Sequence, residues 1–228
     1  MALPGGERYS ARGDELNMHK RGLFITFEGP EGSGKTTHSR LLVGFLRKHG
    51  YKALHTREPG GTFISEKIRG ILLDPKNKKM DVVCEMLLYM AARAQIIKEK
   101  ILPALKKGRI VICDRFIDAT VAYQGYAGGL DVKIIKNIGG LVTRGLWPDL
   151  TFLLDIESRK GLLRAGGYKD RVEKKPLSYH RRVREGYLAI ARKEPKRVRI
   201  VTAIGDIADT QEKIRKTVLR HINFRIKD

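Results

Sequence analysis

Gly29-Pro30-Glu31-Gly32-Ser33-Gly34-Lys35-Thr36 matches the pattern G-x-x-x-x-G-K-[ST] in full. Glycines let a backbone curl so that successive N–H groups face one anion, and a helix starting just beyond adds the positive end of its dipole. Lys35 would neutralise charge between the outer phosphates of a nucleoside triphosphate, and the Thr36 hydroxyl would hold Mg2+. Gly29 through Thr37 are therefore the candidate ATP-binding residues; the bland alternative is a Gly-rich turn. A second pair, Asp114-Arg115, could order Mg2+ through water and clamp an acceptor phosphate in line with the donor. Its bland reading is a surface ion pair. Arg57-Glu58-Pro59-Gly60-Gly61-Thr62 places an Arg and a Glu in a turn. Arg164, Lys169 and Arg171 lie in a Gly-interrupted basic stretch that could close over phosphates, or could be a solvated loop.

These groups need elements to position them. Leu23 to Phe27 is apolar and rich in β-branched and aromatic residues, and reads as a buried strand. After Thr37, Leu41, Leu42, Phe45 and Leu46 lie on one side of a helix. Further strands are expected at 52–56, 109–113, 149–155 and 197–202. Helices are expected at 64–73, 81–105 (with Pro103 kinking or shortening the end), 119–126, 132–143, 179–191 and 207–222. The alternation predicts an α/β fold, a five-stranded parallel sheet with helices on both faces. Ligands bind at the carboxyl ends of such strands, where Arg57 and Asp114-Arg115 fall. Residues 1–20 are expected to form a disordered tail, and 21–228 one domain with a mobile lid at about 159–175.

The 228 residues carry 46 Lys+Arg against 25 Asp+Glu, a net charge of +21. Such a balance raises nucleic acid as a partner. Aromatics make up only 7% and do not interleave with the basic runs, so a stacking platform for nucleic acid is not expected. No apolar run approaches the ~20 residues of a membrane helix. Cys84 and Cys113 are expected to be buried free thiols in a reducing cytoplasm. No N-K-x-D guanine motif is present, which argues against a GTPase.

Taken together, FEGPEGSGKTT, TREPGGT, LLYMAARAQ, DRFIDATVAYQG, PDLTFLLD and DRVE resemble the thymidylate kinase family from about Leu23 to the C-terminus. DRF…AYQG and TREPGGT are the discriminating pieces. The resemblance implies a P-loop kinase fold, transfer of the ATP γ-phosphoryl to dTMP with Mg2+, and a cytoplasmic homodimer. It implies catalytic roles for Lys35, Arg115, Glu31, Asp114, Arg164 and Arg171, and metal roles for Thr36 and Asp114. It implies acceptor binding by Arg57, Tyr89, Arg93, Arg115, Thr120, Tyr123 and Gln124. By the same resemblance Tyr89 would stack on thymine, Arg93 would reach the base O4, Thr120 would meet the N3 side and Tyr123 would lie under the sugar. Glu31 would receive the 3′-hydroxyl, and Glu173 would order the flap or meet the metal.

Two departures stand out. Ala119 replaces the usual Ser or Asn. The usual R-x-R-G of the flap is Arg164-Ala165-Gly166-Gly167, which leaves Arg164 and Arg171 to share the transition-state role. The competing readings are another nucleoside or nucleotide kinase of this fold, and a nucleic-acid-binding protein with a regulatory phosphate loop.

Overall fold

The computed structural model describes residues 21–166, 170–202 and 205–227. The expected tail at 1–20, and Gly167 and Lys169 of the basic stretch, lie outside the described residues. Five strands, β1 Phe24–Glu28, β2 Ala53–Arg57, β3 Ile110–Asp114, β4 Leu150–Asp155 and β5 Val198–Thr202, form a parallel sheet in the order β2-β3-β1-β4-β5. Helices cover both faces, as the near-continuous apolar strands require. Alternation along β1 divides the core. Ile25 and Phe27 pack with Leu42 and Leu46 of α1 (Lys35–Lys48) and Ile214 and Val218 of α9 (Ile207–Lys227). Phe24, from the other side of the same strand, packs with Met90, Phe116, Val121 and Tyr187.

The remaining helices are α2 Phe63–Leu73, α3 Val82–Ile96, α4 Leu102–Lys106, α5 Ile117–Thr120, α6 Val132–Thr143, α7 Ser158–Ala165 and α8 Leu177–Lys193. The helix expected over 81–105 is interrupted by a π-helical turn, Ile97–Ile101, just ahead of Pro103. A proline removes an i→i−4 bond, and the wider turn absorbs that local mismatch. A second π-helical stretch, Val121–Ala127, continues α5 and carries Tyr123 and Gln124.

One local expectation changes. Cys113 is buried but Cys84 is exposed; it sits two positions from the core residue Met86 and so turns roughly to the opposite side of α3. At the start of the stretch expected to be a mobile lid, residues 158–165 form α7. Its first N–H groups are satisfied by Glu157, whose carboxylate accepts from the backbone of Arg159 and Lys160 at 2.9 Å.

Candidate active site

The phosphate loop leaves the end of β1, the central strand, and enters α1. Gly29 (φ +142°) and Gly32 (φ +66°) adopt backbone that side chains disfavour, and a Cβ on Gly32 would lie 2.0 Å from the Gly161 carbonyl oxygen. The loop thus packs backbone to backbone against α7. The Lys35 ammonium donates to the carbonyls of Gly29 (3.1 Å) and Pro30 (2.7 Å). Burial, helped by the nearby Arg115 guanidinium, lowers its pKa to about 8 against the pull of Glu31, Asp114 and Glu28. The Thr36 hydroxyl donates to Asp114 Oδ2 from across the loop.

Arg115 follows β3 with φ +68°, an uncommon conformation for a residue with a Cβ. That turn aims its guanidinium at the loop. Nη2 donates to both oxygens of Glu31 at 2.9 Å, and Nη1 donates to Tyr187 Oη at 3.1 Å. The guanidinium stands 5.0 Å from the centre of the Tyr123 ring, and the Tyr123 hydroxyl donates to Glu31 at 2.7 Å. Burial works to raise the Glu31 pKa. The Arg115 guanidinium, the Lys35 ammonium and the Tyr123 hydroxyl outweigh it and hold the carboxyl at about 2.

Two adjoining hollows meet here. The first is lined by the loop residues Glu31, Gly32, Gly34, Lys35, Thr36 and Thr37 together with Arg57, Asp114 and Arg115. The second is lined by Tyr89, Ala119, Thr120, Tyr123, Gln124, Asp170, Val172 and Glu173, among others. Glu31, Glu58, Arg69 and Arg115 line both. All four shared side chains are of charged types, two arginines and two carboxylates, and the arginines suit a transferring phosphoryl group.

Most of the expected residues are brought to these hollows, but three are placed differently. Arg93 is wholly buried behind Thr120. Nε donates to Glu58 at 2.7 Å, Nη1 to the Thr120 hydroxyl at 3.1 Å, and Nη2 to the Phe116 carbonyl at 2.9 Å. Arg164 is exposed and lines a separate depression on the outer side of the loop, beside Gly32, Gly34 and His38. Arg171, expected at the phosphates, instead points into the interior. It donates to the Leu72 carbonyl at 2.8 Å and pairs with Glu85 at 2.6 Å. Glu85 is 1% exposed, and a carboxylate so buried requires a cation. Arg57 lies at the rim, paired with Glu66 at 2.9 Å.

Sequence reasoning assigned no role to Glu58 and Arg69, which line both hollows, or to Glu28 and Glu85, which bond to residues around them. Glu28 is buried at the end of β1 and accepts from the Phe116 N–H (2.7 Å) and the Tyr187 hydroxyl (2.9 Å); burial first, then Asp118, raises its pKa. An acid ending an otherwise apolar strand was a readable signal. Glu58 is raised to about 7 by burial, against the Arg93 guanidinium. Arg69 donates to the Pro59 carbonyl at 2.9 Å; only the tertiary fold brings it to the junction.

A parallel sheet with a phosphate loop at the carboxyl end of its central strand, and an arginine clamp beside it, defines a P-loop phosphotransferase. The sequence model of the thymidylate kinase family matches residues 27–214. A thymidylate kinase of Symbiobacterium thermophilum is 47% identical over 197 residues, which cover 86% of this chain and 92% of that one. One from Halothermothrix orenii is 51% identical over 176 residues, covering 75% and 84%. The crystal structure of thymidylate kinase from Ehrlichia chaffeensis superposes with a TM-score of 0.73 at 37% identity, covering 87% of this chain and 98% of that one. The chain belongs to the thymidylate kinase family.

Proposed function

We propose that this chain transfers the γ-phosphoryl group of ATP to dTMP, giving dTDP and ADP, with Mg2+ as the metal. The observation that carries the reading is the shared border of the two hollows, where Arg115, Arg69, Glu31 and Glu58 line both. A phosphate oxygen of dTMP bonds to the γ-phosphorus as the bond from that phosphorus to the β-phosphate bridging oxygen breaks. Arg115 and Arg69 hold acceptor phosphate charge at the junction, and Lys35 neutralises the donor phosphates. Tyr89 offers its ring to the base, and Thr120 and Gln124 offer polar atoms to its edge.

Among the described residues no three His, Cys, Asp or Glu side chains gather as a metal site. The adjacent Thr36 hydroxyl and Asp114 carboxylate are hard oxygen donors. They fit an ion that takes its other ligands from phosphates and water, as Mg2+ does. Bound there, it would supply charge neutralisation at the phosphates.

A homodimer fits the surface. Ile64 and Ile71 of α2, Val83 and Leu87 of α3, and Ile134 and Leu141 of α6 are all exposed, and α3 contacts both α2 and α6. Sedimentation at micromolar concentration should give twice the monomer mass, and a monomer would overturn this. No helix among the described residues is long and apolar enough to cross a membrane.

The test of the activity is ADP release with ATP, Mg2+ and, in turn, dTMP, dUMP, dCMP, dGMP and thymidine. Turnover strongest with dTMP supports the reading. Turnover with thymidine but not dTMP would make the chain a nucleoside kinase instead.

A further inference from the structure

Glu85 stands in the first turn of α3, where an acid ordinarily serves the helix dipole in solvent. Here it is 1% exposed and gathers three partners from two other parts of the chain. Oε2 accepts from Arg171 Nη1 at 2.6 Å and from Lys175 Nζ at 3.4 Å; Oε1 accepts from Gln124 Nε2 at 2.6 Å. Arg171 and Lys175 flank Val172 and Glu173, which close the acceptor hollow on one side. The same segment is tied to the end of α2 through the Leu72 and Leu73 carbonyls, which accept from Arg171 Nε and N.

We infer that Glu85 is a positioning residue for base recognition: it fixes which end of the Gln124 amide faces the acceptor hollow and holds residues 171–175 against that hollow. This rests on the reading of the hollow as the dTMP site. An ionised carboxylate only accepts hydrogen bonds, so Gln124 must turn its NH2 group toward Glu85. Its carbonyl Oε1 receives no hydrogen bond among the described residues and is the atom left for the ligand, since Gln124 lines the hollow. A carbonyl there accepts from the protonated N3 of thymine or uracil. It repels the N3 lone pair of cytosine. Discrimination between these bases thus depends on a carboxylate that touches neither.

The test is Glu85→Gln. The new amide can donate to Gln124, which removes the requirement on its orientation and lets an NH2 group face the base. We expect the ratio of kcat/KM for dTMP over dCMP to fall about tenfold or more, the scale of one hydrogen bond turned from matched to mismatched. The loss should appear mainly in the KM for dTMP, with the KM for ATP unchanged. A variant that folds and keeps the wild-type ratio overturns the proposal, whatever its overall rate. Should Glu85→Gln not fold, Glu85→Gln/Arg171→Met, which removes the unpaired buried cation, carries the same expectation for the ratio. Wild-type protein that does not turn over dTMP would instead overturn the reading of the hollow itself.

Discussion

The two halves of the proposed site, donor and acceptor, are built from different materials. On the donor side, one contiguous stretch, Gly29 to Thr37, supplies glycine-shaped backbone, an ammonium and a hydroxyl, and β1 and α1 hold it from either end. On the acceptor side, Glu58 from the end of β2, Glu85 and Arg93 from α3, Thr120 from α5, Gln124 from the π-helical stretch and Arg171 from beyond α7 come together through buried ion pairs and hydrogen bonds. Backbone sites tolerate the loss of a side chain structurally and fail chemically. Sites made of buried charges fail structurally as well, because each partner removed strands another.

Lys35→Met should break the donor half with the largest effect on rate. A fall of about a hundred- to a thousandfold in kcat is expected from losing one preorganised cation at the phosphates, with little change in dTMP binding. Steady-state kinetics and dTMP calorimetry check both parts. Arg93→Met should break the acceptor half differently. It leaves Glu58 buried without its cation, 2.7 Å away at present, so denaturant unfolding should show a loss of about 3–5 kcal/mol. Equal stability losses in Lys35→Met and Arg93→Met would erase the contrast. Tyr89→Leu sharpens it: the KM for dTMP should rise about tenfold through lost stacking while the KM for ATP stays put.

The smallest effect is in pH dependence. Burial raises Glu58 from about 4.5 to about 7. Between those values the folded chain binds more protons than the unfolded one, so this group makes stability fall as pH rises from about 4.5 to about 7. Glu58→Gln should flatten the change in Tm between about pH 5 and about pH 8; an unchanged slope would contradict the assignment.

The same contrast explains what could be read from the sequence. The five strands and their alternation with helices were legible because apolar runs such as Phe24–Phe27 and Ile110–Cys113 are fully buried and say so in composition. The phosphate loop was legible because its geometry is local. Arg171 was misplaced because a basic residue in a Gly-interrupted stretch carries no sign of a buried partner 86 positions earlier. Glu85 was passed over because an acid in a helix's first turn has an ordinary explanation in solvent. Cys84 followed its apolar neighbours on paper but not around the helix. Arg69 reaches the junction because α2 packs on α3 and its guanidinium reaches back to the Pro59 carbonyl, a fact no local pattern holds. The site's chemistry could be named from a few motifs, whereas its wiring depends on sequence-distant pairs.

The measurement that bears most directly on the account is the fate of labelled γ-phosphate. The protein is mixed with γ-labelled ATP, Mg2+ and dTMP, and the products are separated. The account expects the label in dTDP, with the transfer abolished by Arg115→Ala. Label found only as inorganic phosphate, or transfer to dTMP that survives Arg115→Ala undiminished, would contradict it.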